Sequence, residues 1–155
     1  MQHIYRYRFP LGFLWLAAWE GVLTHVAFEG DQPLKGQKTE RTPLLAETAR
    51  QLDEYFAGRR QTFDLPLRPT GTPFQNQVWR EVMAIPYGQT RSYKEVAAKI
   101  GNPQAVRAVG LANGRNPIAI IIPCHRVIGS SGKLTGYGGG LEVKQFLLDL
   151  EQRHA

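Results

Sequence analysis

The 155-residue sequence has a single cysteine, Cys124. One cysteine excludes an internal disulfide and any zinc site built on paired thiolates, and a reactive free thiol is best kept in a reducing compartment. Four histidines, His3, His25, His125 and His154, stand without paired ligand spacing, so no metal is expected and no cofactor motif is present. Long apolar runs are also missing. No stretch approaches the roughly 20 residues that span a bilayer, and residues 13–18 are too few and lack a signal-peptide cleavage pattern. These absences point to a soluble, cytoplasmic chain with no membrane partner. With 43% hydrophobic residues, it can bury a real core in one domain, or in a small domain beside a mid-sized one.

Acidic residues are scarce in the second half. Residues 1–65 hold eight Lys and Arg against eight Asp and Glu, whereas residues 66–155 hold eleven against five, so the whole net charge of +6 lies C-terminally. Between Arg80 and Lys133 eight basic residues face only Glu81 and Glu95. A basic solvated face is the ordinary reading of such a surplus; its concentration around the only cysteine favours a polyanionic partner.

The N-terminal pattern predicts strands over 4–9, 13–18 and 22–28, separated by turns at 10–12 and 19–21, and then a polar loop over 29–41. Thr42-Pro43 opens a helix with Leu45, Ala49, Leu52 and Phe56 on one stripe and Gly58 as its stop. Phe63, Leu65 and Leu67 suggest another strand. The result is a small α/β domain of antiparallel strands plus a helix (1–65), followed by a linker (66–71) rich in proline. Trp15, Trp19 and the tyrosines read as core or rim.

The rest (72–155) reads as a mostly helical domain. Thr72-Pro73-Phe74-Gln75 forms a capping box before Val78, Val82 and Ile85, with Trp79 and Met83 widening the buried face. Ser92-Tyr93-Lys94-Glu95 is a second capping box, and its helix stops at Gly101. Asn102-Pro103 opens the next helix at once, over 103–113, which makes a helix-turn-helix. Ala105, Ala108, Gly110 and Ala112 would let that second helix approach a ligand closely. Residues 126–128 and 133–135 flank Gly129-Ser130-Ser131-Gly132 as a hairpin or wing. The last helix, 141–152, is expected to bury Val143, Phe146, Leu147 and Leu150, with Glu151 at the edge of that face.

The centre of the chain is 117–129. Ile118-Ala119-Ile120-Ile121-Ile122, fenced by Pro117 and Pro123, predicts a short strand buried on both faces that ends at Pro123 and delivers Cys124 on a fixed backbone. A lone cysteine is usually a small buried hydrophobe. Here His125 and Arg126 follow at once, and cations lower a thiol's pKa towards the reactive thiolate. In an extended segment His125 would point away from the sulfur, so a turn or a bridging water has to connect them.

Pro123-Cys124-His125-Arg126-Val127 resembles the active-site signature of the O6-alkylguanine-DNA alkyltransferases. The resemblance runs from about Gly71 to Glu151, through Ile85-Pro86-Tyr87-Gly88, Arg91-Ser92-Tyr93, Gly101-Asn102-Pro103, Arg107-Ala108-Val109-Gly110, Asn116-Pro117 and Thr135-Gly136-Tyr137. It implies a winged helix-turn-helix alkyltransferase domain that enters the minor groove of double-stranded DNA and rotates an alkylated guanine out of the stack. By resemblance Cys124 takes the alkyl group irreversibly and once, His125 removes its proton through a water, Glu151 orients His125 and Asn116 braces the turn. Tyr93 crowds the target phosphate and donates a proton to the departing guanine, and Arg107 fills the vacated space. Ser92, Lys94, Gln104 and Ala105 are expected at the DNA with Ala108, Gly110, Asn113 and Arg115. Tyr137 and Gly138 would line the pocket, with backbone groups of Cys124, Val127 and Gly138 facing the guanine edge. Gly138 stands where some relatives carry serine, which leaves substrate breadth and O4-alkylthymine open. The expected state is a monomer in solution, with cooperative assembly on DNA left open and no long tail after Glu151.

Two rivals remain. A cysteine hydrolase assembles Cys and His from separate places in the sequence and would leave the basic helix-turn-helix without a role. A non-catalytic sensor of alkylated DNA would share the helix-turn-helix and Arg107 but has no need of Cys124.

Overall fold

A computed structural model describes residues 2–31 and 37–155. Three antiparallel strands open the chain, β1 (Gln2–Phe9), β2 (Gly12–Trp19) and β3 (Val22–Phe28), as the alternating pattern predicts. The β2–β3 connection is the two-residue turn Glu20-Gly21, with φ of 46° and 80°, the handedness that suits the twist of a hairpin. A fourth strand, β4 (Lys38–Thr39), pairs in parallel with β1 and gives the order β3-β2-β1-β4. It lies in the stretch read as a polar loop, of which 32–36 are outside the described residues. Two residues of strand with polar side chains leave no alternation to detect. Helix α1 (Pro43–Phe56), capped by Thr42, packs Leu45, Leu52 and Tyr55 with Leu14 and Leu16 into a core of nearly zero exposure.

The expected strand around Phe63–Leu67 reduces to a single bridge from Leu67 to Leu23. Leu23 N–H donates to Pro66 O and Arg68 N–H to Leu23 O, so the proline-rich segment is tied to β3 rather than free. The chain divides into two compact units, one of residues up to Thr70 together with Pro117–Ile121, the other Gly71–Asn116 with Ile122–Ala155. In the first unit, the excursion of 117–121 is held by Val26 N–H on Pro117 O and Ala119 N–H on Val26 O.

The second unit is mostly helical. Its elements are α2 (Pro73–Met83), β5 (Arg91–Ser92), α3 (Tyr93–Lys99), α4 (Val106–Gly114), β6 (Val127–Ile128) and α5 (Leu141–His154). Both predicted capping boxes form, Thr72 with Gln75 and Ser92 with Glu95. Helix α2 buries Val78, Trp79 and Val82, and the Trp79 indole N–H donates to Ala112 O of α4 at 2.9 Å. Met83 is 45% exposed rather than buried. It is the last residue of the helix, beside the buried Val82.

Helix α4 begins three residues later than expected. Ala105 N–H closes on Asn102 O at 3.0 Å, so Asn102 and Pro103 start a β-turn, the position that proline's fixed φ favours, and Ala105 caps the helix with no side-chain bond. The wing is also reduced. Gly129 N–H donates to Lys133 O and closes the loop, but 133–135 form no strand; β6 pairs instead in parallel with β5, Arg91 opposite Val127.

Candidate active site

The buried isoleucines do not form a strand. Residues 118–123 are all buried, but among the described residues the only pairing is a bridge at Ile118, and the backbone then turns sharply twice. Ile121 N–H donates to Ala119 O at 2.8 Å around Ile120, whose φ is 71°. This is a γ-turn of the strained hand, rare for a β-branched residue. Cys124 N–H then donates to Ile122 O at 2.7 Å around Pro123 (φ −81°, ψ 62°), an inverse γ-turn that the proline ring favours. Cys124–Arg126 follows as one turn of 3-10 helix.

Two amides from the end of α4 hold these turns. Asn116 Nδ2 donates to Ile122 O at 2.8 Å, and Asn113 Nδ2 donates to Cys124 O at 3.1 Å. Asn113, expected at the DNA, is therefore a correction. It is 3% exposed because it shares the inner side of α4 with Val109 and Ala112, and it supports the cysteine instead.

Cys124 is 6% exposed. Burial pushes its thiol up, opposed by hydrogen bonds from Asn116 and Tyr137 and by the charge of Lys144. The sequence offers His125 and Arg126 as the activating cations; the charge that favours the Cys124 thiolate is instead that of Lys144 on α5, whose own pKa burial pushes down and which the apolar pattern of that helix does not single out. Lys144 is fully buried, with Nζ donating to Val127 O at 2.7 Å and Thr135 O at 3.0 Å. Val143 and Phe146 are only half-buried, because the inner face of α5 is Lys144, Leu147, Leu150 and Glu151.

Beside the cysteine lies a buried ionic cluster. Glu151, 1% exposed, accepts four hydrogen bonds: His125 Nε2 at 2.6 Å, Arg126 Nε at 2.8 Å and Nη2 at 3.0 Å, and Gly88 N–H at 3.1 Å. Burial opposes its charge, but the bonds and charges of His125 and Arg126 outweigh that and hold its carboxyl well below the usual range. Arg126 is anchored at its other end on Ile85 O at 2.7 Å. His125 is fully buried, and burial pushes its pKa down, against the pull of Glu151. A neutral imidazole facing an ionised carboxylate must carry its proton on Nε2. Its Nδ1 is left as a bare lone pair, buried and without a hydrogen-bond partner. A base oriented by a carboxylate, itself fixed by an arginine, is the geometry that activates a nucleophile.

Four of the other expected residues, Tyr93, Gly110, Tyr137 and Gly138, line a cavity of about 430 Å³ together with Val106, Gly114, Thr135 and Gly136. The Tyr93 ring lies against Gly110, and its hydroxyl accepts from Thr135 Oγ1 at 3.1 Å. Tyr137 and Gly138 belong to this lining; Val127 and Cys124 do not, and Val127 spends its N–H on Cys124 O and its carbonyl on Lys144. Arg107, Ala108, Gln104, Arg115 and Lys94 are exposed, while Ala105 and Gly110 are half-buried. Ser92 is engaged as the α3 cap. Sequence reasoning overlooked Lys144, Arg126 as an anchor, and Gly88. Among the described residues no group of His, Cys, Asp or Glu side chains could hold a metal, and no helix is long and apolar enough to cross a membrane.

Comparison with known proteins covers both units. The DNA-binding domain of 6-O-methylguanine DNA methyltransferase matches residues 73–153, and the ribonuclease-like domain of the same family matches 4–69. The chain is 54% identical over 153 residues to a methylated-DNA–protein-cysteine methyltransferase of Methanosarcina barkeri, covering 94% of each. It is 49% identical over 150 residues to the constitutive one of Bacillus subtilis, covering 92% of this chain and 91% of that protein. The crystal structure of Mycobacterium tuberculosis OGT in complex with DNA is similar at a TM-score of 0.92 and 50% identity, over 99% of this chain and 94% of that one.

Proposed function

Since the chain belongs to the 6-O-methylguanine DNA methyltransferase family and acts in DNA repair as a methylated-DNA–protein-cysteine methyltransferase, we propose that Cys124 is the acceptor and that His125, Glu151, Asn116 and Tyr93 serve it. The observation that carries this is the buried chain Arg126–Glu151–His125 beside the only thiol, with a bare His125 Nδ1. His125 Nδ1 takes the Cys124 proton through a water. The sulfur pair attacks the methyl carbon in line, an S–C bond forms as the C–O6 bond breaks, and the bonding pair stays on the guanine. The base leaves as guanine after taking a proton, for which the Tyr93 hydroxyl at the cavity is the donor. The product is a thioether, a poor leaving group. Cys124 is the only cysteine, with no second thiol to take the group on, so each molecule reacts once.

O6 is engaged in pairing inside the duplex, so the nucleotide must be rotated out. Exposed Arg107 on α4, among small residues that suit a narrow minor groove, fills the space, and the cavity beside Tyr93 and Tyr137 receives the base. Lys94, Gln104 and Arg115 support phosphate or groove contacts. The protein acts as a monomer in the cytoplasm on double-stranded DNA that carries alkylated guanine. Intact and peptide mass spectrometry after mixing with duplex containing one O6-methylguanine tests the reading. The expected result is one methylene's mass, confined to the Cys124 peptide and never exceeding one per molecule. Cys124→Ser should abolish transfer and keep DNA binding. Unchanged mass with tight lesion binding would mean a damage sensor instead.

A further inference from the structure

Helix α4 carries an unexplained side chain. Leu111 is 63% exposed, the most exposed of the large hydrophobic residues among those described, ahead of Leu141 at 48% and Met83 at 45%. It stands four residues from Arg107 and four from Arg115, so the three share one face of the helix and its C-terminal end, spanning about 12 Å. The rest of that face is small: Ala108 and Gly114 are exposed beside it, while Val109, Ala112 and Asn113 are turned inward. No acidic residue lies on the helix, and neither arginine has an ion-pair partner among the described residues. A leucine held in water between two unpaired cations is poorly placed for a free surface and well placed for one that meets a polyanion with apolar walls.

We propose that Leu111 is a DNA-contacting residue that seats its side chain against the sugar walls and base edges of the minor groove, one helical turn from the step that Arg107 enters. This rests on the function proposed above, with α4 as the groove-facing helix. The minor groove presents deoxyribose C–H surfaces along its sides, and leucine is among the side chains that wedge into it and loosen stacking. Arg115 supplies charge, which carries no preference for a step that is easily opened, and Arg107 acts only at the step it enters. The leucine adds apolar burial that grows as the neighbouring step opens, so it favours the extruded state over the stacked one. The flanking small residues matter for the same reason. A larger side chain at Ala108 or Gly114 would hold Leu111 away from the groove floor.

The test compares wild type, Leu111→Ala and Leu111→Met for duplex affinity across salt concentrations, single-turnover transfer from O6-methylguanine in duplex, reaction with the free base O6-methylguanine, and urea midpoint. Leu111→Ala should weaken duplex affinity and slow duplex transfer by about tenfold, the scale of one leucine losing most of its burial. The slope of log affinity against log salt should stay unchanged, because no phosphate contact is lost, whereas Arg115→Ala should reduce it. Reaction with free base and the urea midpoint should match wild type, and Leu111→Met should restore duplex transfer. Equal duplex affinity and rate in Leu111→Ala would overturn the proposal. So would an equal loss on free base, which would make Leu111 structural, or loss of a concentration-dependent self-association, which would place a second copy on this face. If wild type itself fails to take methyl from duplex, the functional reading fails, which is a separate outcome.

Discussion

Glu151→Gln is the sharpest perturbation of the buried cluster, because it changes charge and almost nothing in shape. The carboxylate accepts four hydrogen bonds, two on each oxygen. A glutamine keeps one acceptor oxygen and turns an NH2 group towards donors, so about half of these bonds are lost and one contact becomes donor against donor. Arg126, 6% exposed, is left with Ile85 O and no counter-charge. Removing one partner of a buried ion pair costs about 3–5 kcal/mol, against a total stability of roughly 5–15 kcal/mol for a domain of ordinary size. The same change removes the group that fixes the proton on His125 Nε2. An amide N–H facing Nε2 moves that proton to Nδ1, so the base no longer presents a lone pair, and the transfer rate should fall by about 10²–10⁴.

Stability and rate are separated by adding Arg126→Met. With the orphaned cation gone, a large part of the urea midpoint should return, since a buried pair replaced by apolar groups is often near neutral, while single-turnover transfer stays slow. The readings are urea unfolding and quenched single-turnover kinetics on duplex carrying O6-methylguanine, at a temperature where every variant is folded. A Glu151→Gln protein within about 1 kcal/mol of wild type, or one that transfers methyl at the wild-type rate, would refute the reasoning. A double variant that recovers both stability and rate would show that Glu151 serves only to neutralise Arg126.

Lys144→Met leaves the carbonyls of Val127 and Thr135 without their donor and should cost about 2 kcal/mol in urea unfolding; with the cation gone, the pH–rate profile should move to higher pH, and an unmoved profile would mean that its charge is not felt at Cys124. Stability should fall as pH drops below about 6.5: the unfolded chain binds a proton on His125 that the folded chain, with that pKa lowered by burial, refuses, and His25 acts with the same sign. Glu151 adds a further loss below about 4.3, because its folded pKa is depressed and its contribution goes as pH falls towards that value; urea midpoints that stay level from pH 8 to pH 5 would contradict a buried neutral His125. Arg107→Ala should slow transfer from duplex far more than reaction with free O6-methylguanine base, and equal losses would remove Arg107 from base extrusion.

Elements whose cause is local were legible in the sequence. Thr72 with Gln75 and Ser92 with Glu95 announce helix starts because the cap bonds lie within four residues, and the β1–β3 meander shows in its turns and alternation. The misreadings have one cause. Ile118–Ile122 has the composition of a strand, yet side-chain amides of Asn113 and Asn116 take the carbonyls of Cys124 and Ile122 that a sheet neighbour would need. Nothing within the apolar run encodes those partners. Asn102-Pro103 could serve as a cap or as a turn, and only Ala105 closing on Asn102 decides it. Lys144 was invisible because a charged residue is assigned to the solvent by default, and its compensation comes from two carbonyls, one nine and one seventeen residues away along the chain. The clue was spacing: Lys144, Leu147 and Glu151 recur at three and four residues, so a helix that buries one of them buries all three.

The site keeps its nucleophile latent, and that suits a protein that reacts once. A permanently exposed thiolate would be consumed by any electrophile, with no turnover to restore it. Here burial holds Cys124 as the thiol, while every group that would favour the thiolate is already in place: Asn116, Tyr137 and Lys144 around the sulfur, and His125 with a bare Nδ1. The ionic cluster is neutral towards the thiol at rest, because Glu151 and Arg126 compensate each other and His125 is uncharged. In the reaction proposed above, proton transfer from Cys124 to His125 would create an imidazolium against the ionised Glu151 and a thiolate that the charge of Lys144 favours, so both new charges would have partners waiting. What remains is an electrophile aligned with the sulfur, which on the proposed function an alkylated base extruded from the duplex would supply. On that proposal, selectivity would come from delivery of the alkylated base more than from the strength of the nucleophile, and groove residues on α4 would govern the rate of a reaction whose bonds they never touch.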